Sequence, residues 1–227
     1  MPKTNDTELW KEVDRYLSDR LVAPDSALEE ALAANAAAEL PAIDVAPNQG
    51  KLLHLLARIA GARRILEIGT LGGYSTIWLA RALPKDGRLI TLEASAKHAE
   101  VARRNIARAG LGQMVDLRLG AALDTLPQLV KESAGPFDLI FIDADKPNIP
   151  DYLTWSLKLS RKGTVILIDN VIREGEILDA SSSDASVQGV RRLFDMLHDE
   201  PRLQATALQT VGSKGYDGFA MAVVTGE

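Results

Sequence analysis

Between residues 7 and 60 the apolar positions recur at helical spacing. Leu9, Val13, Tyr16, Leu17 and Leu21 fall on one face, and Pro24 ends the run. Ser26-Ala-Leu-Glu29 reads as a capping box that opens an alanine-rich helix lasting to Pro41. A third helix, residues 47–60, carries Leu52, Leu53, Leu55, Leu56 and Ile59 and stops at Gly61. Three helices are therefore predicted before any strand.

From Arg64 the period changes. Short apolar runs at residues 64–68, 89–93, 115–119, 137–142 and 164–168 alternate with helical stretches beginning near Tyr74, Ser95, Ala121 and Pro150. Such alternation predicts an α/β fold with a parallel sheet, and the lack of polar positions within most runs predicts helices on both faces. After a helix from Ser186 to about His198, strands near 203–209 and 219–224 follow each other without a crossover, which predicts an antiparallel pair at the sheet edge. Ser181-Ser-Ser-Asp184 reads as a surface loop. The expected organisation is one structural unit, with an N-terminal helical extension over residues 1–60 and the main domain over 61–227.

Composition narrows the chemistry. With 227 residues, 46% of them hydrophobic, the chain can bury one sizeable core, and without cysteine it has no disulfide, thiolate zinc site or cysteine nucleophile. The polar start MPKTNDTELW and the lack of an apolar run near ~20 residues predict a soluble, cytoplasmic protein with no membrane partner. Residues 1–60 hold 6 basic and 10 acidic side chains, which leaves 20 and 21 for the remainder. Neither part is basic, so a nucleic-acid partner is not expected.

The turn Glu67-Ile-Gly-Thr-Leu-Gly-Gly-Tyr-Ser75 follows the first strand, where α/β sheets bind adenosyl groups. Its glycines at 69, 72 and 73 depart from the G-x-G-x-x-G spacing that suits a dinucleotide pyrophosphate, which disfavours an NAD-dependent oxidoreductase. Glu67 can meet an ammonium, and Glu93, ending the second strand, can take both ribose hydroxyls. A ribose with a cationic tail describes S-adenosyl-L-methionine.

Asp143-Ala-Asp145-Lys146 ends the fourth strand and Asp169-Asn170 the fifth. Oxygen ligands gathered at neighbouring strand ends suit a hard divalent cation, Mg²⁺ first and Ca²⁺ or Mn²⁺ as alternatives, through Asp143, Asp169 and Asn170. Lys146 stands beside them as a candidate general base. His54, His98 and His198 show no metal-ligand spacing, and Trp10, Trp78 and Trp155 read as packing residues.

These motifs, Leu66-Glu-Ile-Gly-Thr-Leu-Gly-Gly-Tyr-Ser75, Phe141-Ile-Asp-Ala-Asp-Lys146, Ile168-Asp-Asn170 and Tyr216-Asp-Gly218, make the chain similar to the cation-dependent O-methyltransferases, the group containing the caffeoyl-CoA and catechol enzymes. The match runs from about Val45 to the C-terminus. The resemblance implies a Rossmann-like, class I methyltransferase sheet of seven strands with the last antiparallel, usually in a homodimer. It implies that Val45, Glu67, Gly69, Thr70, Ser75, Glu93, Ala122 and Asp145 line the cofactor site, that Asp143, Asp169 and Asn170 hold the metal, and that Lys146 is the base. Two departures lie where substrate is read: Ile149 and Pro150 stand where the family often has a tyrosine, leaving Tyr152, and Val171-Ile-Arg-Glu-Gly175 lacks the tryptophan and asparagine of the plant caffeoyl-CoA enzymes. A small aromatic hydroxyl substrate of catechol type is the expectation. The competing readings are a different small-molecule, protein or RNA acceptor, and a non-catalytic module that keeps the cofactor pocket. The acidic balance and the intact acid set oppose the last two of these.

Overall fold

The computed structural model describes residues 4–226. Helices α1 (Thr4–Leu21), α2 (Ser26–Ala37) and α3 (Pro47–Ile59) precede the first strand, as the helical spacing predicts. Then follow β1 (Arg64–Ile68), α4 (Tyr74–Ala80), β2 (Arg88–Glu93), α5 (Ala96–Arg108), β3 (Val115–Leu119), α6 (Ala122–Lys131) and β4 (Leu139–Ile142). A 3₁₀ turn (Lys146–Asn148) leads into α7 (Ile149–Lys158) and β5 (Val165–Asp169). A second 3₁₀ segment (Arg173–Leu178), α8 (Ala185–Asp199), β6 (Leu203–Gly212) and β7 (Gly215–Val224) complete the chain. No described helix is long and apolar enough to cross a membrane.

The sheet has seven strands in the order β3-β2-β1-β4-β5-β7-β6. The pairings from β3 to β5 are all parallel, and β7 runs antiparallel to both β5 and β6. Successive side chains of each strand point to opposite faces, so β1 divides its residues between two cores. Leu66 and Ile68 pack with Leu126, Leu153 and Leu193 of α6, α7 and α8. Ile65 packs with Leu28, Leu53, Ile77 and Ile106 of α2, α3, α4 and α5. The strand order reverses between β2 and β4 on either side of β1, and the crevice beyond the carboxyl ends of these strands is where such sheets bind ligands.

Local differences from the sequence pattern have physical reasons. The cap of α2 is Asp25, whose carboxylate accepts a hydrogen bond from the Leu28 backbone N–H at 3.1 Å, and Ser26 is the first helical residue. A carboxylate there also faces the positive end of the helix dipole, which a serine does not match. Strand β4 starts at Leu139 and not at Phe137, because the Phe137 N–H donates to the Leu159 carbonyl, outside the sheet. Strand β7 begins at Gly215, four residues before the apolar run suggests, because pairing with β6 extends from Leu203↔Val224 to Gly212↔Gly215.

Candidate active site

The turn between β1 and α4 is built for close approach. Gly69 has φ 98°, and a Cβ there would lie 2.0 Å from the Asp143 carbonyl oxygen at the end of β4. The cofactor turn and the acidic cluster therefore touch through their backbones, and only glycine permits it. A Cβ on Gly72 would lie 1.8 Å from Asn35 Oδ1, so α2 also presses on the turn. Asn105 Nδ2 donates to the Gly72 carbonyl at 2.9 Å and to Asn35 Oδ1 at 3.1 Å, and Asn35 Nδ2 donates to Asp44 Oδ1 at 2.8 Å.

The two glutamates hold this turn in different ways. Glu93 Oε2 accepts from the backbone N–H groups of Leu71 at 2.8 Å and Thr70 at 3.2 Å, while Oε1 accepts from the Ser95 N–H at 2.9 Å. Three backbone donors on one carboxylate fix the path of the loop beside it. Glu67 shares the face of Ile65 on β1 and so takes a core position, fully buried. Its oxygens accept from Ser75 Oγ at 2.6 Å, Thr91 Oγ1 at 2.7 Å and the Thr76 hydroxyl. Burial outweighs these donors and pushes the Glu67 carboxyl up to about 7.

Above the turn opens a cavity of about 520 Å³. Val45, Gly69, Thr70, Ser75, Glu93, Ala122 and Asp145 line it, seven of the eight residues expected around the cofactor. Glu67 lies behind Ser75 and does not reach the wall. Tyr152 lines the same cavity and donates its hydroxyl to Asp145 Oδ1; burial raises the phenol pKa, with the Asp145 charge adding to it. His98, which shows no metal-ligand spacing in the sequence, also lines it, its Nδ1 3.4 Å from Glu93 Oε1.

Asp143, Lys146 and Asn170 line this cavity at the ends of β4 and β5. Lys146, 9% exposed, donates from Nζ to Asp143 Oδ1 at 3.0 Å. Asp169 is buried; its Oδ1 accepts from the Asn170 N–H at 2.9 Å and its Oδ2 from Gln49 Nε2 at 2.7 Å. Burial, with the Asp143 charge second, raises the Asp169 pKa. Gln49 carries no motif signal and is 120 residues away in sequence, so only the fold brings it here. Asp169 and Asn170 also line a second cavity of about 290 Å³, walled by the start of α3 and the β6–β7 hairpin. Asn170 lines both cavities, so they adjoin at the acid pair.

The second cavity is closed from the N-terminal side. Asp14 of α1 accepts from Asn48 Nδ2 at 2.9 Å and from the Ser213 N–H, at the hairpin tip, at 2.7 Å. On the other side the chain leaving β5 is unusual: Asn170, Arg173 and Glu174 have φ of 57°, 52° and 55°. Asp217 of β7 braces it, with Oδ1 accepting from the N–H groups of Ile172 at 2.9 Å and Arg173 at 3.1 Å.

Comparison with known proteins agrees with this geometry. A family model described as O-methyltransferase matches residues 20–221. The chain is 57% identical to the catechol O-methyltransferase of Niastella koreensis over 217 residues, covering 96% of this chain and 98% of that one. It is 56% identical over 213 residues to the catechol O-methyltransferase of Mycobacterium tuberculosis, covering 94% and 95%. An O-methyltransferase of Bacillus cereus solved with SAH superposes with TM-score 0.95 at 63% identity, covering 96% of this chain and 100% of that one. TomG of Streptomyces achromogenes, solved with SAM, gives TM-score 0.95 at 53% identity, covering 97% and 99%. With a family model matched over residues 20–221 and relatives 56–57% identical over nearly the whole chain, the protein belongs to the O-methyltransferase family.

Proposed function

We propose that this O-methyltransferase takes a methyl group from S-adenosyl-L-methionine and transfers it to one hydroxyl of a small catechol-type acceptor held on a divalent cation, Mg²⁺ first. The observation that carries the reading is that Asp143 on the larger cavity and Asp169 on the smaller meet electrostatically beside Asn170, which lines both. The relatives called catechol O-methyltransferase, and the related structures holding SAM or SAH, point the same way. The donor set fits a hard cation: two carboxylates and an amide oxygen leave coordination places for water and substrate. Asp169, disfavoured as an anion by burial and by Asp143, gains from a positive neighbour.

The residues divide the work. Glu93 holds the turn at the ribose end, and Glu67 acts on the ammonium tail from behind Ser75. Val45, Gly69, Thr70, Ala122 and Asp145 shape the remaining wall around the cofactor. The cofactor supplies an electrophilic sulfonium methyl. When bound, the cation supplies a chelating point for two adjacent oxygens and lowers the phenol pKa. Lys146, beside Asp143, takes the proton of the reacting hydroxyl. Holding oxygen and methyl in line contributes much of the acceleration.

The test is methyl transfer from S-adenosyl-L-methionine to a panel of vicinal diols, with Mg²⁺ and with chelator, reading the position methylated. Turnover that chelation abolishes is expected; metal-independent turnover removes Asp143, Asp169 and Asn170 from the metal role. Full activity of Lys146→Ala across a pH series removes the base assignment.

The reading extends to a cytoplasmic homodimer. Leu9, Val13, Tyr16 and Leu21 of α1 are 56%, 48%, 61% and 67% exposed, an apolar face a second copy can cover. Light scattering on the full chain and on a form lacking residues 1–24 tests it, and a full-length monomer overturns it.

A further inference from the structure

Among the charged residues lining the larger cavity are the acids Asp44, Glu93, Asp143 and Asp145 and the cations Lys146 and Arg173. Lys146 is satisfied by Asp143 at 3.0 Å. Arg173 is not satisfied. Its Nε is buried without a hydrogen-bond partner, and no described carboxylate lies within 4.0 Å of its guanidinium. Its field reaches Asp184, the exposed cap of α8, only at longer range. A guanidinium with a buried, unpaired N–H is costly to keep unless something accepts from it.

The backbone explains why this side chain stays where it is. Arg173 sits in the left-handed region at φ 52°, as does Glu174 at 55°, and Asp217 accepts from the Arg173 N–H at 3.1 Å. Such conformations are strained for residues with a Cβ and persist when the surroundings hold them. Glu174 turns onto the smaller cavity, so the two charges of this loop are sorted between the two spaces. Arg173 thus faces the cavity shared with Asp143, Lys146 and Asn170, three residues along the chain from Asn170.

We propose that Arg173 is a specificity residue that binds a carboxylate on the acceptor, so that the preferred substrate is a catechol carrying an anionic side group. A planar guanidinium matches a carboxylate bidentately, and such a charge-assisted pair is stronger than a neutral hydrogen bond. The inference rests on the reading of Asp143, Asp169 and Asn170 as the place where the diol is held.

The experiment compares kcat/KM for catechol, 3,4-dihydroxybenzoate and the cationic 3,4-dihydroxyphenethylamine in the wild type, Arg173→Gln and Arg173→Lys. The wild type should favour the carboxylate over catechol by about tenfold or more, as a charge-assisted hydrogen bond to a sheltered partner implies, with the cationic diol last. Arg173→Gln should lose most of that ratio, chiefly through KM, and Arg173→Lys should restore part of it. Equal use of the three diols by the wild type overturns the inference and leaves the proposed function standing. So does a ratio unchanged in Arg173→Gln. Calorimetry with S-adenosyl-L-methionine gives a further readout: a fall in cofactor affinity as large as the fall in the ratio assigns Arg173 to the cofactor's own carboxylate and overturns the inference. If the wild type methylates no diol with or without Mg²⁺, the proposed function fails and takes this inference with it.

Discussion

Glu93 and Asp169 both close a parallel strand of the same sheet, and their carboxylates meet opposite surroundings. Glu93 accepts three backbone N–H groups and organises the loop around itself. Asp169 is buried, faces Asp143, and is left with a raised pKa despite the Gln49 amide. The cofactor side is complete as a protein structure. The side at the ends of β4 and β5 is not: it holds like charges near one another, a buried Arg173 Nε without a partner, and positive φ at Asn170, Arg173 and Glu174. Stability concentrates where the turn is satisfied, and reactivity where charge awaits a partner.

This contrast breaks at its strongest point first. Asp169→Ala should lower methyl transfer by about a thousandfold or more through loss of a proposed cation ligand, while affinity for S-adenosyl-L-methionine measured by calorimetry changes by less than about threefold. Comparable loss of both would mean that the two sides are one site. Glu93→Ala should do the reverse. Cofactor affinity should fall by about 10- to 100-fold, because the proposed ribose partner and the template of the turn go together, and the melting temperature should drop as backbone N–H groups lose their acceptor. Unchanged affinity would remove Glu93 from the cofactor site.

A third effect, separate from activity, concerns Glu67 and is read in stability. Its folded pKa, about 7, lies above the ordinary value of 4.5, so the native state holds a proton that the unfolded chain has lost. Stability from this group is therefore fully present below about pH 4.5 and declines as pH rises to about 7, by at most about 3 kcal/mol. Glu67→Gln should flatten that part of the pH–stability curve in urea unfolding. A curve with unchanged slope would mean that Glu67 is an ordinary ionised carboxylate.

The sequence made the framework legible because its signals are local. Strands β1 and β3 fall at residues 64–68 and 115–119 as the apolar runs predict, and the glycines of the turn and the acids after β4 and β5 are contiguous motifs. What it concealed depends on residues distant in the chain. Nothing near Glu67 says that Thr91 and Thr76 will enclose it, and β1 reads as an apolar strand ending in an acid and not as a strand with an acid in its core. Gln49 lies in a helix without a motif, 120 residues from Asp169, yet the fold brings its amide to that carboxylate. Gly215 to Gly218 look like a turn until their pairing with β6 is known.

The clamp made by Asp14 has a consequence for the order of assembly. It joins α1 to the N–H of Ser213, a separation of 199 residues, whereas the bonds from Thr70 and Leu71 to Glu93 span 23 and 22. During synthesis the chain emerges from its N-terminus, so the partners of the glycine turn are available long before those of the second cavity. The cavity beside Asp169 has its roof and one wall at opposite ends of the polypeptide. It is therefore the last space to form, and a chain stopped short of the hairpin would keep its glycine turn and lack the wall that β6 and β7 give the second cavity.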